Sequence, residues 1–175
     1  SAHIAAAGLS ITEERKQTFR FSPPYAYSTP TLIYRVTRGK PAPKTIADLE
    51  DKKIHVIANS SHAELMRTLK QTYPFLKWQE SPTNSVTELL EDVYNKELDY
   101  TVSDDLVFDA QKSYFPGLKK SLVLSKPEPV AWLLMKQNDQ SLQRALRRFF
   151  ERPETQELLV SLKKKYLTRQ NQLGF

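Results

Sequence analysis

The chain has 175 residues, of which 39% are hydrophobic and 26% charged, with a formal net charge of +6. That composition is ordinary for a globular chain long enough for one domain or two small lobes. No apolar run approaches the roughly 18 residues of a membrane span, and no segment has the layout of a signal peptide.

Cysteine is absent, which excludes disulfides, thiol nucleophiles and cysteine-ligated metals. His3, His55 and His62 lie far apart without metal-ligand spacing, so no metal and no cofactor is expected. The basic residues are scattered, with short clusters at Lys119–Lys120, Arg147–Arg148 and Lys163–Lys165. They read as solvated surface, and no nucleic-acid motif accompanies them.

In chain order, an apolar run at Ala5–Leu9 precedes Ser10 and Arg15, and Thr31–Thr37 is β-rich. Thr45 caps a short helix with Ile46 and Leu49 inward, and Lys53–Ala58 is a compact strand. Ser61 and Glu64 form a capping box opening a helix with Leu65, Met66, Leu69 and Tyr73 on its inner face. A strand follows at Leu76–Gln79. Ser85 and Glu88 form a second capping box before Leu89, Leu90, Val93 and Leu98. Leu98–Val102 is a strand, and Ser103 or Asp104 opens another helix. Ser121–Leu124 and Val130–Met135 are strands. Two tail helices split at Pro153; one packs Leu142, Ala145, Leu146, Phe149 and Phe150, the other Leu158, Leu159, Leu162 and Tyr166.

Strand–helix alternation predicts an α/β fold with a mostly parallel sheet, whose ligands bind at the carboxyl ends of strands. Three polar points fall at such ends. Arg15 presents a rigid fork suited to a carboxylate, or pairs with Glu13 or Glu14 in solvent. Asn59–His62 opens a helix, where free N–H groups and the Ser60 and Ser61 hydroxyls suit an anion, beyond Ser61's capping role. Asp104 can accept from an ammonium or merely cap the next helix. Together they suit a zwitterion such as an α-amino acid.

The run Gly8-Leu-Ser-Ile-Thr-Glu-Glu-Arg15, followed by Phe19-Arg-Phe-Ser-Pro-Pro-Tyr25, resembles the signature of the periplasmic amino-acid-binding proteins, the extracellular solute-binding family 3. Asn59–His62 stands where that family has a Gly-Thr/Ser-Thr loop, with Asn59 replacing the usual glycine. Leu98–Asp104 stands where it has an Ile/Leu-Asp-Ala motif ending in Asp. The resemblance implies a type II periplasmic-binding fold of two hinged lobes. It implies that Arg15, with Ser10 nearby, clamps a ligand carboxylate, that Ser60, Ser61 and His62 line the opposite side, and that Asp104 takes the ammonium. Tyr34-Arg-Val36, Ser85–Asp104, Glu128–Trp132 and Lys164–Leu167 are also similar to the non-catalytic domain of the membrane-bound lytic murein transglycosylase F family.

That likeness implies a non-catalytic sensor or regulatory module for an amino acid or cell-wall peptide, periplasmic, in a protein attached to the outer membrane. The alternative is the receptor of an ABC-type amino-acid transporter. An enzyme is not expected of this chain: Gln79-Glu-Ser81 imitates the transglycosylase Glu-Ser motif, but it leaves a short strand and precedes Pro82.

The expected division is a lobe 1 remnant at 1–38 and 127–175, lacking its first strands, and a complete lobe 2 at 39–126. The chain opens without Met, as a fragment does. Apolar faces left uncovered in such a remnant would cost roughly 25 cal/mol per Å². A homodimer or strand exchange is therefore expected, and sedimentation as a sharp monomer with a cooperative melt would refute it.

Overall fold

The computed structural model describes residues 26–83, 85–130 and 140–172. These divide into two compact units, Thr29–Pro127 and the segments on either side of it.

The larger unit is built around a five-stranded sheet. Its strands are β2 (Pro30–Arg35), β3 (Ile54–Ile57), β4 (Trp78–Ser81), β5 (Tyr100–Asp104) and β6 (Leu118–Val123), in the order β4-β3-β5-β2-β6. β3 pairs in parallel with β4 and β5, whereas β2 is antiparallel to both β5 and β6. Four strands therefore share one direction and the sheet is mixed. The expectation of a mostly parallel sheet holds for direction but missed the reversed strand between β5 and the edge strand β6.

β2 carries ladder hydrogen bonds on both edges, and residues 29–38 fall in the larger unit.

β2 is buried on both faces because alternate side chains serve opposite layers. Leu32 joins Leu49, Ile54, Val56, Ala63, Met66, Leu76, Val102 and Leu124 in one core cluster. That layer is covered by α1 (Ser61–Thr72) and the 3-10 turn Ile46–Leu49. On the face of Ile33 and Arg35 lies α2 (Val86–Tyr94), which buries Val86, Leu89, Leu90 and Val93. Arg35 pins it by donating from Nη1 to the Val93 carbonyl at 2.9 Å. Leu98, expected on that helical face, falls beyond the helix end. A third helix, α3 (Asp105–Gln111), follows β5 directly and buries Leu106, Val107, Phe108 and Ala110. Gly117 then turns the chain into β6 at φ 93°, a left-handed conformation suited to glycine.

In the smaller unit, β1 (Tyr27–Ser28) pairs antiparallel with β7 (Glu128–Pro129). Of the strand expected at Val130–Met135, Val130 is helical and 131–139 lie outside the described residues. Helices α4 (Gln140–Glu151) and α5 (Pro153–Gln172) break at Pro153 as expected, with proline in the first helical position. Leu146, Phe149, Phe150 and Leu159 are buried, and the two phenylalanine rings meet edge to face at 5.7 Å. Leu158, expected inward, is 47% exposed, while Thr155 takes the buried position one turn earlier. The inward face of α5 is therefore rotated from the one read in the sequence.

The entry to the 3-10 turn carries a pH signature. Asp48 Oδ2 accepts from the backbone N–H groups of Lys44 (2.9 Å) and Thr45 (3.0 Å). Those donors, Lys44 foremost, hold its carboxyl below the ordinary value. The stabilisation is fully present above the unfolded value of about 3.9 and is lost as pH falls through the lower folded one. A carboxyl-carbon NMR titration should find the Asp48 midpoint below that of free aspartate; an ordinary midpoint would refute the capping contact.

Candidate functional site

Because β3 and β5 are adjacent and parallel, with His55 beside Thr101, their carboxyl ends open on the same edge of the sheet. The chain leaves β3 through Ala58, whose N–H donates to the Ser81 carbonyl at 2.9 Å. Asn59 then adopts φ 57°. This is the left-handed region, where asparagine is the best tolerated residue after glycine. The asparagine that departs from the family's usual glycine therefore preserves the turn.

The helix cap lies one residue earlier than expected. Ser60, not Ser61, is the N-cap of α1, with Oγ donating to the Ile57 carbonyl at 2.6 Å and accepting from the Ala63 N–H at 3.2 Å. Its hydroxyl is thus committed to the fold. The donors left at this corner are the exposed Ser61 hydroxyl and the N–H groups of Ser61 and His62, which have no carbonyl one turn behind them. Ser60→Ala is expected to cost about 0.5–2 kcal/mol of stability. Denaturant unfolding measures this directly, and an unchanged midpoint would mean the turn holds without the hydroxyl.

At the end of β5, the two adjacent aspartates have different tasks. Asp105 does the local structural work: Oδ1 accepts from the N–H groups of Thr29 (3.0 Å) and Leu106 (2.8 Å). Asp104 occupies the N-cap position but makes no side-chain cap bond there. Its carboxylate instead faces α1, with Oδ2 3.5 Å from Nε2 of His62. The two side chains are 4% and 7% exposed, and His62 Nε2 has no hydrogen-bond partner among the described residues. The separation is that of an ion pair rather than a well-formed hydrogen bond.

Ser60, Ser61, His62 and Asp104 thus lie at the carboxyl ends of β3 and β5. Ser10 and Arg15 lie outside the described residues. The sequence reading missed the direct approach of His62 to Asp104. Its signal was present: His62 stands four residues before the buried Met66, on the inward stripe of α1.

Two other features bear on chemistry. Glu80, the acid of the Gln79-Glu-Ser81 lookalike, is held by Arg67 Nη2 at 3.1 and 3.0 Å and by Trp78 Nε1 at 3.4 Å. It is engaged in surface pairing on β4. A cavity of about 370 Å³ lies at the opposite end of the strands, lined by Arg35, Lys40, Lys52, Lys53, Asp99 and Tyr100 among others. None of the predicted ligand residues lines it. Burial, with the Asp99 charge second, pushes the Tyr100 hydroxyl above its ordinary value, so it stays protonated there. Among the described residues no three acidic or histidine side chains group to hold a metal, and no helix is long and apolar enough to cross a membrane.

A family model described as bacterial extracellular solute-binding proteins, family 3, matches residues 1–169. A membrane-bound lytic murein transglycosylase F of Saccharophagus degradans is 37% identical over 149 residues, 85% of this chain and 29% of its own length. Its namesake in Aeromonas salmonicida is 39% identical over 163 residues, 93% of this chain and 32% of its own. The chain therefore spans about a third of the length of the curated relatives it matches. Among solved structures, the periplasmic domain of BvgS from Bordetella pertussis superposes with a TM-score of 0.50 at 18% identity, covering 83% of this chain and 31% of that one. Likeness at that identity bears on the fold alone.

Proposed function

The chain belongs to the bacterial extracellular solute-binding proteins, family 3, with a type II periplasmic-binding-protein-like fold, and we propose that it is a non-catalytic module binding an amino acid or a cell-wall peptide through its α-amino and carboxylate groups. One observation carries the reading. A buried carboxylate that caps nothing stands 3.5 Å from the imidazole Nε2 of His62, a residue in the first turn of α1, so an ammonium acceptor lies at the same end of the strands as an anion-favouring helix start. The N–H groups of Ser61 and His62 and the Ser61 hydroxyl would receive the ligand carboxylate, favoured by the helix dipole by roughly 0.3–1 kcal/mol. Asp104 would receive the ammonium, and Arg15, with Ser10, would add a bidentate clamp on the carboxylate.

In the cell, this module would act in the periplasm as the sensing part of a membrane-bound lytic murein transglycosylase. Solute capture would favour one arrangement of the attached enzyme over another. The names and lengths of the relatives support that setting. Calorimetry of the chain against α-amino acids and peptidoglycan stem peptides tests the reading. Heat is expected from compounds carrying both groups, and from neither the matching amine nor the N-acetylated acid. Equal binding of those analogues would overturn it.

A further inference from the structure

The cavity at the far end of the strands is built by three neighbours in the sheet. Tyr34 of β2 pairs with Tyr100 of β5, and Tyr100 with Ile54 of β3, so these strand ends lie in one row. Because β2 runs against the other two, its carboxyl end meets their amino ends. That reversal delivers Arg35 to the same cavity as Lys53 and Asp99. The bond from Arg35 Nη1 to the Val93 carbonyl, at 2.9 Å, holds the guanidinium in place before anything binds.

Two tight turns complete the wall. Lys40 donates its N–H to the Thr37 carbonyl at 3.1 Å, closing a turn with Gly39 at φ 82°. In the second, the Lys52 N–H donates to the Leu49 carbonyl at 3.1 Å, with Glu50 at φ −57° and ψ 133° and Asp51 at φ 65°. These are the angles of a type II turn, whose third residue is ordinarily glycine. An aspartate in that left-handed position carries strain that glycine would avoid. The turn sets Lys52 and Lys53 on the cavity immediately before β3.

The charges there do not cancel. Arg35, Lys40, Lys52 and Lys53 line the cavity against Asp51 and Asp99, an excess of two positive charges. Among the described residues none of the three lysines is in an ion pair. The volume, about 370 Å³, falls within the usual span of small-molecule sites, roughly 300–1,000 Å³. Like charges gathered in one hollow repel one another, so an anion that enters relieves that repulsion as well as being attracted. Tyr100, whose hydroxyl keeps its proton chiefly because it is buried, adds a donor to this wall.

We propose that this cavity is a second binding site, for a compact dianion of the phosphate-monoester class. It lies apart from the Asp104 corner and does not depend on the amino-acid reading. A phosphate monoester carries about −1.5 to −2 charges at neutral pH, matching the excess, and offers three strong acceptor oxygens to the surrounding donors. An α-amino acid matches poorly, since it brings one carboxylate and an ammonium that the lysines repel. The monoester is supplied either free in solution or as a lipid headgroup.

The test is an amide NMR titration of the chain, at fixed ionic strength, with glycerol 3-phosphate and inorganic phosphate. Dimethyl phosphate is the monoanionic control. Both dianions should give saturable shifts at Lys40, Lys52, Lys53 and Tyr100 with millimolar or lower midpoints, and dimethyl phosphate should bind far more weakly. Lys52→Gln combined with Lys53→Gln should weaken glycerol 3-phosphate about tenfold or more, as the loss of charge-assisted bonds requires. Lys163→Gln combined with Lys164→Gln removes the same charge from exposed positions of α5 and should leave the affinity almost unchanged. Co-sedimentation with phosphatidylcholine vesicles, with and without phosphatidic acid, separates the two sources. Retention that needs both phosphatidic acid and the Lys52–Lys53 pair assigns a headgroup, and no retention assigns a soluble ester. Shifts that never saturate, equal binding of dimethyl phosphate, or equal losses in the two double variants overturn the site. Vesicle binding without binding of either soluble phosphate also overturns it, marking a flat charged surface rather than a cavity for a dianion.

Discussion

Asp104→Asn is expected to weaken binding of an α-amino acid by about 2–5 kcal/mol, roughly thirty- to several-thousand-fold in affinity. The substitution keeps shape and removes only charge and one acceptor oxygen. The carboxylate is 4% exposed, so water screens its attraction for an ammonium little. The fold should survive, because Asp105 and not Asp104 secures the start of α3 and ties it to Thr29. The result should therefore appear in a titration as lost affinity with an unchanged melting temperature. Affinity within about twofold of wild type would return Asp104 to a merely structural position. A parallel fall in stability would show that its charge serves the fold rather than a ligand.

Much of this architecture was legible locally. Apolar runs such as Leu32–Ile33 and Ile54–Val56 located strands, and a serine before each apolar stripe located α1 and α2. The errors have physical causes. Two consecutive serines at 60 and 61 offer two equivalent caps in sequence, and only the backbone angles at Ser60 (φ −105°, ψ 169°) select the first. The direction of β2 is not encoded in its own residues, since a strand buried on both faces reads alike whether parallel or antiparallel. Its partners are 70 residues away in β5 and nearly 90 in β6, and the pairing Leu32↔Val102 depends on those distant segments. The phase of α5 slipped because Leu158 and Leu159 are adjacent, and only one of them can face inward.

The site divides in the same way. Asp104 and the Asn59–His62 corner were legible because each sits where an apolar strand run gives way to polar residues. The approach of His62 to Asp104 was not, since it depends on the register of β3 against β5, which sets Ile54 beside Tyr100 and His55 beside Thr101. With that register fixed, the two strand ends advance together and the first turn of α1 reaches the end of β5. Shifting the pairing by one residue would turn Asp104 to the other face of the sheet. The proposed site is thus a consequence of tertiary pairing, although each of its members sits at a locally readable turn.

Leu32→Ala, the second large effect, tests that pairing from the core. Leu32 is fully buried at the centre of β2, packed in the cluster with Leu49, Ile54, Met66 and Val102, and paired across the ladder with Val102. Truncation removes three carbons' worth of transfer energy and leaves a cavity that two flanking strands prevent from collapsing. The expected loss is about 2–5 kcal/mol. Against a total of about 5–15 kcal/mol for a typical domain, that is a large share of what holds the unit folded. Val123→Ala on β6 is the matched control: its side chain is 55% exposed, so the change should stay within about 0.5 kcal/mol. Denaturant unfolding of the two variants beside wild type separates them. A Leu32→Ala loss no larger than that of Val123→Ala would mean that β2 is not an interior, core-packed strand of this sheet. The register that brings His62 to Asp104 would lose its support with it, because β2 is the neighbour that holds the other edge of β5.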